Sequence, residues 1–287
     1  MSNAGRNAIR KRAEEQAAGR LRAISDPSIF RDSPAGYTRR PEQNLVSGVG
    51  LSDFAPDLGA GAGNELVDGA GGPAKFCAAF SSSALAVNSF GPFRHQPQNL
   101  QLIGHLGFSE VQFEKKLPTG LRGTDPHLDV YAAGPSRIVC IESKFLEPLW
   151  PKVAKFADSY KGAIQSLADH AWAGVYDVLK GNPNQFEYLD AAQLVKHYLG
   201  MQYTLGASDV TRLLVYLYWE PENAADIEAY QVHREEIAVF SSAVEAGQIG
   251  FVALSYPQLW AQWRGSSSWS GMQAHLDHLE QRYSFSI

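Results

Sequence analysis

The chain alternates between stretches with helical periodicity and shorter runs typical of β-strands. Residues 6–24 repeat apolar side chains every three or four positions, which predicts a helix that ends before Pro27. Further segments predicted to contain helix are 73–90, 160–179, 190–202, 226–246 and 257–263. Alternating or β-branched runs predict strands at 111–117, 127–133, 137–145, 211–219 and 250–255. The order of helix, three strands, helices, strand, helix, strand and helix indicates one mixed α/β domain with helices covering a central sheet.

Two segments near the N-terminus lack both periodicities. Residues 32–50 are polar and contain proline, which predicts a linker or a strap over the core. Residues 58–72 are rich in glycine and alanine, but they follow no strand and lack the GxGxxG spacing of a dinucleotide site. We interpret them as a flexible loop with one short helical turn. The predicted organisation is a helical extension and linker over 1–48, followed by one domain over 49–287.

Composition excludes several classes of protein. Hydrophobic residues make up 45% of the 287 residues and charged residues 19%, which is ordinary for a chain with a folded core. The longest run free of polar residues, 213–219, is far shorter than the roughly 20 residues of a spanning helix. The basic N-terminus is not followed by the apolar region of a secretory signal. We therefore expect a soluble, cytoplasmic protein without a membrane partner.

Charge and cysteine content give weaker information. Two cysteines are too few for a disulfide framework or a zinc site. The net charge of −5 gives no global basic field of the kind that attracts nucleic acid. Locally, however, residues 115–161 hold eight lysines and arginines against five aspartates and glutamates. This basic excess is a candidate contact for a phosphate backbone.

The candidate chemistry lies on the second and third predicted strands. Glu142 and Lys144 project from the same face of a strand because they are two residues apart. A turn at 134–136 would bring Asp129 beside them. Two converging carboxylates can hold Mg²⁺, and a lysine beside the metal can orient or deprotonate the water that attacks a phosphodiester.

A solvated ion pair, worth about 0–1 kcal/mol, is the alternative explanation of Glu142 and Lys144. The apolar run at 138–141 disfavours that explanation, because it places the pair at the end of a core strand rather than on a solvated edge.

The arrangement PHLD, followed after twelve residues by ESK, resembles the signature of the PD-(D/E)XK nuclease superfamily. The run GLRGTDPHLDV–IESKFLEPL resembles bacterial restriction-endonuclease-like proteins, and the likeness covers about 44–256. The resemblance implies a restriction-endonuclease-like α/β core, in which a mixed central sheet is flanked by helices in the order helix, three strands, helix, strand. It also implies that Asp129 and Glu142 bind the metal and that Lys144 is the catalytic lysine. Pro126 stands three positions before Asp129 instead of adjacent to it, which leaves Asp125 as a competitor.

A third acid has two candidates. Relatives in the superfamily place an additional acid on the first core helix, and Glu65 precedes the helix predicted over 73–90. We assign Glu65 as a further catalytic and metal-binding residue, although an acid at a helix N-terminus is also favoured by the helix dipole alone. Glu114, on the first strand, competes for this role, and a solvated strand face explains it about as well.

Polar residues on two later segments receive lower priority. Gln193, Lys196 and His197 share one helical face and could contact a phosphate, but we favour a surface face of the helix. His275 and His278 lie three residues apart without further ligands, so we expect no metal site there.

Together these features predict a Mg²⁺-dependent endodeoxyribonuclease, with Mn²⁺ able to substitute for Mg²⁺ and DNA as the partner. A nuclease fold retained as a binding or scaffold module is the alternative from another class, and a nuclease acting on RNA is a third reading. The sequence is compatible with a homodimer.

Overall fold

A five-stranded mixed sheet lies at the centre of the computed structural model, which describes residues 3–59, 65–123, 125–206 and 210–287. The strands follow one another across the sheet in chain order: β1 (Glu110–Lys116), β2 (His127–Gly134), β3 (Arg137–Lys144), β4 (Thr211–Tyr218) and β5 (Gly250–Ser255). The first three strands form an antiparallel meander, and β4 and β5 join it in parallel. The predicted α/β class with a mixed central sheet is confirmed.

Helices cover both faces of this sheet. In the described residues they are α1 (Asn3–Ala23), α2 (Ala55–Gly59), α3 (Ser82–Phe90), α4 (Tyr160–Leu167), α5 (His170–Gly181), α6 (Ala191–Leu205), α7 (Glu228–Val244), α8 (Tyr256–Ser266) and α9 (Met272–Tyr283). One face, with Val130 and Ile141, packs against α1, α3, α8 and α9. The other face, with Leu128 and Cys140, packs mainly against α4–α7. Because both faces are covered, β3 is nearly continuous in apolar residues rather than alternating.

The helix predicted over 73–90 is wrong in its first half. Only Ser82–Phe90 is α-helical, and Ser81 begins the helix by accepting a hydrogen bond from the backbone N–H of Ala84 at 3.2 Å. Upstream, the Asn44 side-chain amide donates to the carbonyls of Phe76 and Ala78, each at 2.7 Å. These carbonyls are therefore satisfied by a distant side chain instead of a helical ladder.

Two further differences lie in the C-terminal half of the chain. The predicted segment 160–179 is two helices, α4 and α5, because Asp169 begins a new helix by accepting from the backbone N–H of Trp172 at 3.1 Å. Helix α9 was not predicted, and its apolar residues are sparse among polar ones.

The predicted N-terminal helix is confirmed as α1, and it packs against α9. Arg282 of α9 donates to the Ala17 carbonyl at 3.0 Å, and Arg20 of α1 donates to the Ser284 carbonyl at 2.7 Å. The domain boundary at residue 48 stays a prediction. Residues 60–64, at the centre of the predicted glycine-rich loop, lie outside the described residues. None of the described helices combines the length and apolar character that a membrane crossing requires.

Candidate functional site

Three carboxylates occupy matching positions on the three antiparallel strands. Val130 pairs with Ile141 at the last position of the β2–β3 register, and Asp129 and Glu142 are the next residues along the two strands. The register between β1 and β2 sets Glu114 opposite Asp129. The side chains of all three residues line one cleft. The structure therefore brings Asp129 and Glu142 onto adjacent strands, as the sequence predicts.

Asp129 lies near the start of β2 and is held there by the neighbouring strand β3. The backbone N–H of Ser143 donates to Oδ2 of Asp129 at 2.6 Å, and the Ser143 hydroxyl is hydrogen-bonded to the hydroxyl of Tyr256 at 2.7 Å. Burial, followed by the nearby Glu142 and Glu114 carboxylates, raises the pKa of Asp129 well above its usual range. Asp129 thus lies close enough to these two carboxylates for their charge to disfavour its ionisation.

Glu142 is 2% exposed, and both of its oxygens contact cationic or ionisable groups. Its Oε1 accepts a hydrogen bond from the Lys144 ammonium, and its Oε2 lies 2.7 Å from Nε2 of His197. Burial alone would raise the pKa of Glu142, but Lys144 and His197 together lower it to about 2. The two contacts of Glu142 therefore favour its ionised form.

Lys144 joins Glu142 to helix α6. Its Nζ donates to Glu142 and also to Oε1 of Gln193 at 2.8 Å. Burial alone would lower the pKa of Lys144, but the Glu142 and Glu147 carboxylates raise it above its ordinary value. The ammonium is therefore charged, and its orientation is fixed by two acceptors from different elements.

A cleft of about 800 Å³ opens over these residues. Asp129, Glu142 and Lys144 line it, as do both candidates for the third acid, Glu65 and Glu114. Asp125, the competitor left by the split Pro-Asp pair, also lines the cleft, but Asp129 is the residue that accepts a hydrogen bond from β3, from the Ser143 N–H.

Glu65 lies in a turn rather than on the helix beside the sheet. Its Oε2 accepts from the Ser83 hydroxyl at 2.9 Å, and its Oε1 lies 3.3 Å from Nζ of Lys75. Ser83 belongs to the first turn of α3. The carboxylate thus reaches the N-terminus of the core helix although its backbone is remote from it in sequence.

Glu114 has an unusual backbone conformation for a strand residue. Its φ of 48° is in the left-handed region that non-glycine residues rarely adopt. Burial, followed by the Glu65 and Glu142 carboxylates, raises the pKa of Glu114 to about 7. Nδ1 of His127 lies 3.5 Å from its Oε2. Glu114 is therefore a member of the same carboxylate cluster and not a solvated strand residue.

Two residues of α6 that the sequence predicts on its surface belong to the site. The surface assignment is wrong for His197, which is 1% exposed against Glu142, and for Gln193, which accepts from Lys144. Gly200 permits this close packing, because a Cβ at that position would collide with the Leu117 carbonyl. The available signal was a pair of polar residues four positions apart on an otherwise apolar helix.

The C-terminal histidines show no comparable arrangement. His275 is buried, and its Nε2 donates to the Ser89 carbonyl at 3.2 Å. Within the described parts of the chain, no three His, Cys, Asp or Glu side chains are grouped closely enough to hold a metal ion.

Comparison with known proteins places the chain in one family. The profile of a family described as "Restriction Endonuclease associating with ARP" matches residues 68–284, which include Asp129, Glu142, Lys144 and the whole of α6. Neither the curated proteins nor the solved structures contain a match. Because the family match spans most of the 287 residues and the sheet has the expected mixed topology, the chain belongs to the family of restriction endonucleases associating with ARP.

Proposed function

We propose that this protein is a metal-dependent nuclease that hydrolyses DNA phosphodiester bonds. The observation that carries the proposal is the row of Glu114, Asp129 and Glu142, with the Lys144 ammonium in the same cleft. The restriction endonuclease in the family description supports this reaction class. Asp129 before Glu142-Ser143-Lys144 on antiparallel strands is also the arrangement that the PD-(D/E)XK resemblance implies.

Asp129 and Glu142 supply the oxygen donors that a hard divalent cation prefers. Because no three acids are grouped closely enough to hold a metal among the described side chains, water or a substrate phosphate would have to supply further ligands. Mg²⁺ and Mn²⁺ prefer oxygen ligands, and Glu65, Glu114, Asp129 and Glu142 are among the acids that line one cleft. Burial and mutual proximity raise the pKa of Asp129 and Glu114, and a divalent cation offsets that repulsion. Asp129 and Glu142 would hold the cation, with Glu65 as the third acid and Glu114 as its competitor.

When bound, such a cation stabilises negative charge on a phosphoryl oxygen and on the leaving group. Lys144 performs the complementary part of the reaction. Glu142 and Gln193 engage two of the three N–H donors of the ammonium, and the third can orient a water molecule or a phosphate oxygen. Because these two acceptors fix the ammonium before substrate arrives, little reorganisation accompanies the reaction.

His197 and Ser143 act on the carboxylates rather than on the substrate. His197 restrains Oε2 of Glu142, and the Ser143 backbone N–H restrains Oδ2 of Asp129. One oxygen of each carboxylate is therefore held by a different neighbour. This restraint limits the positions that a ligand shared by Asp129 and Glu142 can occupy.

The proposal is tested by incubating the purified protein with duplex DNA, single-stranded DNA and RNA, in Mg²⁺, in Mn²⁺ and in EDTA. We expect cleavage of DNA that requires the cation and that Lys144→Met removes. Cleavage of RNA alone would overturn the assignment of DNA. Failure to cleave any of the three substrates would overturn the proposed nuclease function.

A binding module that retains the nuclease fold is the second candidate. The observation in its favour is that Lys144 and His197 already contact both oxygens of Glu142. Thermal unfolding in Mn²⁺ separates the two functions, because a ligand that binds only the folded state raises the melting temperature. If the protein is a nuclease, Mn²⁺ should raise its melting temperature, and Asp129→Asn should abolish that rise. If it is a binding module, Mn²⁺ should leave the melting temperature unchanged.

A further inference from the structure

Lys196 differs from the other lysine and arginine side chains that line the cleft. Arg10 contacts Glu14, Lys75 contacts Glu65, and Lys144 contacts Glu142. Among the described side chains, no carboxylate lies within ion-pair distance of the Lys196 ammonium, although Lys196 is half-buried and lines the same cleft.

Two aromatic rings support this ammonium. Nζ of Lys196 lies 5.5 Å from the ring centroid of Phe156 and 5.8 Å from that of Tyr160. The rings contact each other edge to face, with centroids 5.7 Å apart. Cation–π contacts of this kind contribute about 0.5–2 kcal/mol and hold the ammonium in place, but they do not neutralise it.

The position of Lys196 relates it to the reactive groups. Lys196 and His197 follow Gln193 by three and four residues, so each is a neighbour of Gln193 on the surface of α6. Gln193 and His197 contact Lys144 and Glu142, whereas Lys196 is directed to the aromatic pair. Lys196 therefore neighbours, on α6, a residue that holds Lys144.

The charge of the cleft indicates that the Lys196 ammonium contributes to the binding of an anionic substrate. Eight carboxylate side chains line the cleft: Glu14, Glu65, Glu114, Asp125, Asp129, Glu142, Glu147 and Asp190. A polyanionic substrate meets repulsion from these groups wherever a bound cation or a lysine does not offset it. Partial burial lowers the pKa of Lys196, against the opposing charge of Asp190, so an anionic partner would compensate for the solvation that the ammonium has lost.

We propose that Lys196 binds a nonbridging oxygen of a substrate phosphate that flanks the phosphate being cleaved. This inference rests on the proposed nuclease function and names the part of the substrate that α6 recognises. Phe156 and Tyr160 restrain the ammonium, and the contact supplies affinity without taking part in the bond-breaking step.

The test compares Lys196→Met with Lys196→Arg and with Lys180→Met. Lys180 is an exposed lysine in the last turn of α5 and serves as the matched control. Binding is measured by fluorescence anisotropy with labelled duplex and single-stranded DNA, with Ca²⁺ in place of Mg²⁺, over a series of KCl concentrations. Cleavage is measured in Mg²⁺ as kcat and KM.

For Lys196→Met we expect Kd and KM to rise about tenfold at low salt, as for loss of one charge-assisted hydrogen bond, with kcat nearly unchanged. The slope of log Kd against log salt concentration should fall by about 0.9 with duplex DNA or by about 0.7 with single-stranded DNA. The size of the decrease therefore indicates which form of DNA contacts Lys196. Lys196→Arg and Lys180→Met should bind like the parent.

Parent-like affinity and salt dependence in Lys196→Met, with a parent that binds and cleaves DNA, would overturn the role of Lys196 alone. A parent that neither binds nor cleaves DNA would overturn the nuclease and this inference together. A fall in kcat with unchanged KM would place Lys196 in the chemical step and also contradict the proposal.

Discussion

His197 of α6 places its Nε2 2.7 Å from Oε2 of Glu142, on the third strand of the meander. This contact joins the helix that covers the sheet to the carboxylate at the centre of the proposed site. It is almost fully shielded from solvent, because His197 is 1% exposed and Glu142 is 2% exposed. The position of α6 therefore determines the direction of the Glu142 carboxylate.

Replacing His197 should weaken cation binding more than folding. We expect His197→Leu to lower Mn²⁺ affinity and cleavage by about tenfold or more, as found when outer-shell partners of metal ligands are removed. Isothermal titration with Mn²⁺ measures the affinity, and thermal unfolding without metal checks the fold. His197→Gln, which can still donate to Glu142, should recover part of the affinity. Equal loss in both variants would indicate a packing role.

Substitutions of Lys144 and Asp129 should have different effects on turnover and on metal binding. Lys144→Ala removes the charge that orients water but deletes no carboxylate, so we expect Mn²⁺ binding to persist while most turnover is lost. Asp129→Ala should abolish both. The measurements are Mn²⁺ titration and single-turnover cleavage of DNA. Cleavage at the parent rate by either variant would contradict the assigned roles.

The two candidates for the third acid can be distinguished by charge-neutral substitutions. Glu65→Gln and Glu114→Gln keep the size and remove the charge. If Glu65 is the third acid, Glu65→Gln should slow metal-dependent cleavage by at least about tenfold, or about 1.4 kcal/mol in the barrier. Parent-like cleavage by Glu65→Gln, together with loss in Glu114→Gln, would transfer the role to the strand.

Local pattern was sufficient for the sheet and for the juxtaposition of Asp129 with Glu142. The five strands are predictable because their apolar runs are short, rich in β-branched residues or alternating, and several are bounded by turn residues, and a short turn sets the register of a hairpin. The contact of Asp129 with the Ser143 N–H follows from that register. These features depend on residues close in sequence.

The features that local sequence patterns do not predict depend on contacts between residues far apart in the chain. The segment before α3 forms a short 3-10 helix and a turn instead of an α-helix, and the Asn44 side chain that binds its carbonyls is not encoded within that segment. His197 and Gln193 were assigned to a surface because a polar helix face has the same pattern whether it meets water or a buried Lys–Glu pair.

A second long-range contact should control the entry to α6. The Glu236 carboxylate of α7 accepts hydrogen bonds from the backbone N–H groups of Glu187, Tyr188 and Leu189, which immediately precede that helix. We expect Glu236→Ala to lower the free energy of unfolding by about 2 kcal/mol or more, because three partly buried N–H groups lose a charged acceptor. Urea denaturation measures the change. Glu235→Ala, at an exposed position of the same helix, should change it by less than about 0.5 kcal/mol.

His275 should make stability depend on pH in the acidic range. Burial lowers the pKa of this histidine from its ordinary 6.5 to about 4, while its Nε2 donates to the Ser89 carbonyl. Between pH 6.5 and about 4 the unfolded chain binds a proton that folded His275 does not, so stability falls as the pH falls. The slope attributable to one such proton is about 1.4 kcal/mol per pH unit.

The contribution of His275 is isolated by comparing the parent with His275→Gln, because the other titrating groups are common to both proteins. We expect the parent to lose stability relative to this variant as the pH falls from 6.5 toward 4, and the difference to be constant above pH 7.5, where His275 is neutral in both states. Urea denaturation at half-unit intervals of pH gives the two curves. Parallel curves across this range would mean that folded His275 accepts its proton as readily as the unfolded chain does. That result would contradict the burial of an uncharged imidazole between α3 and α9.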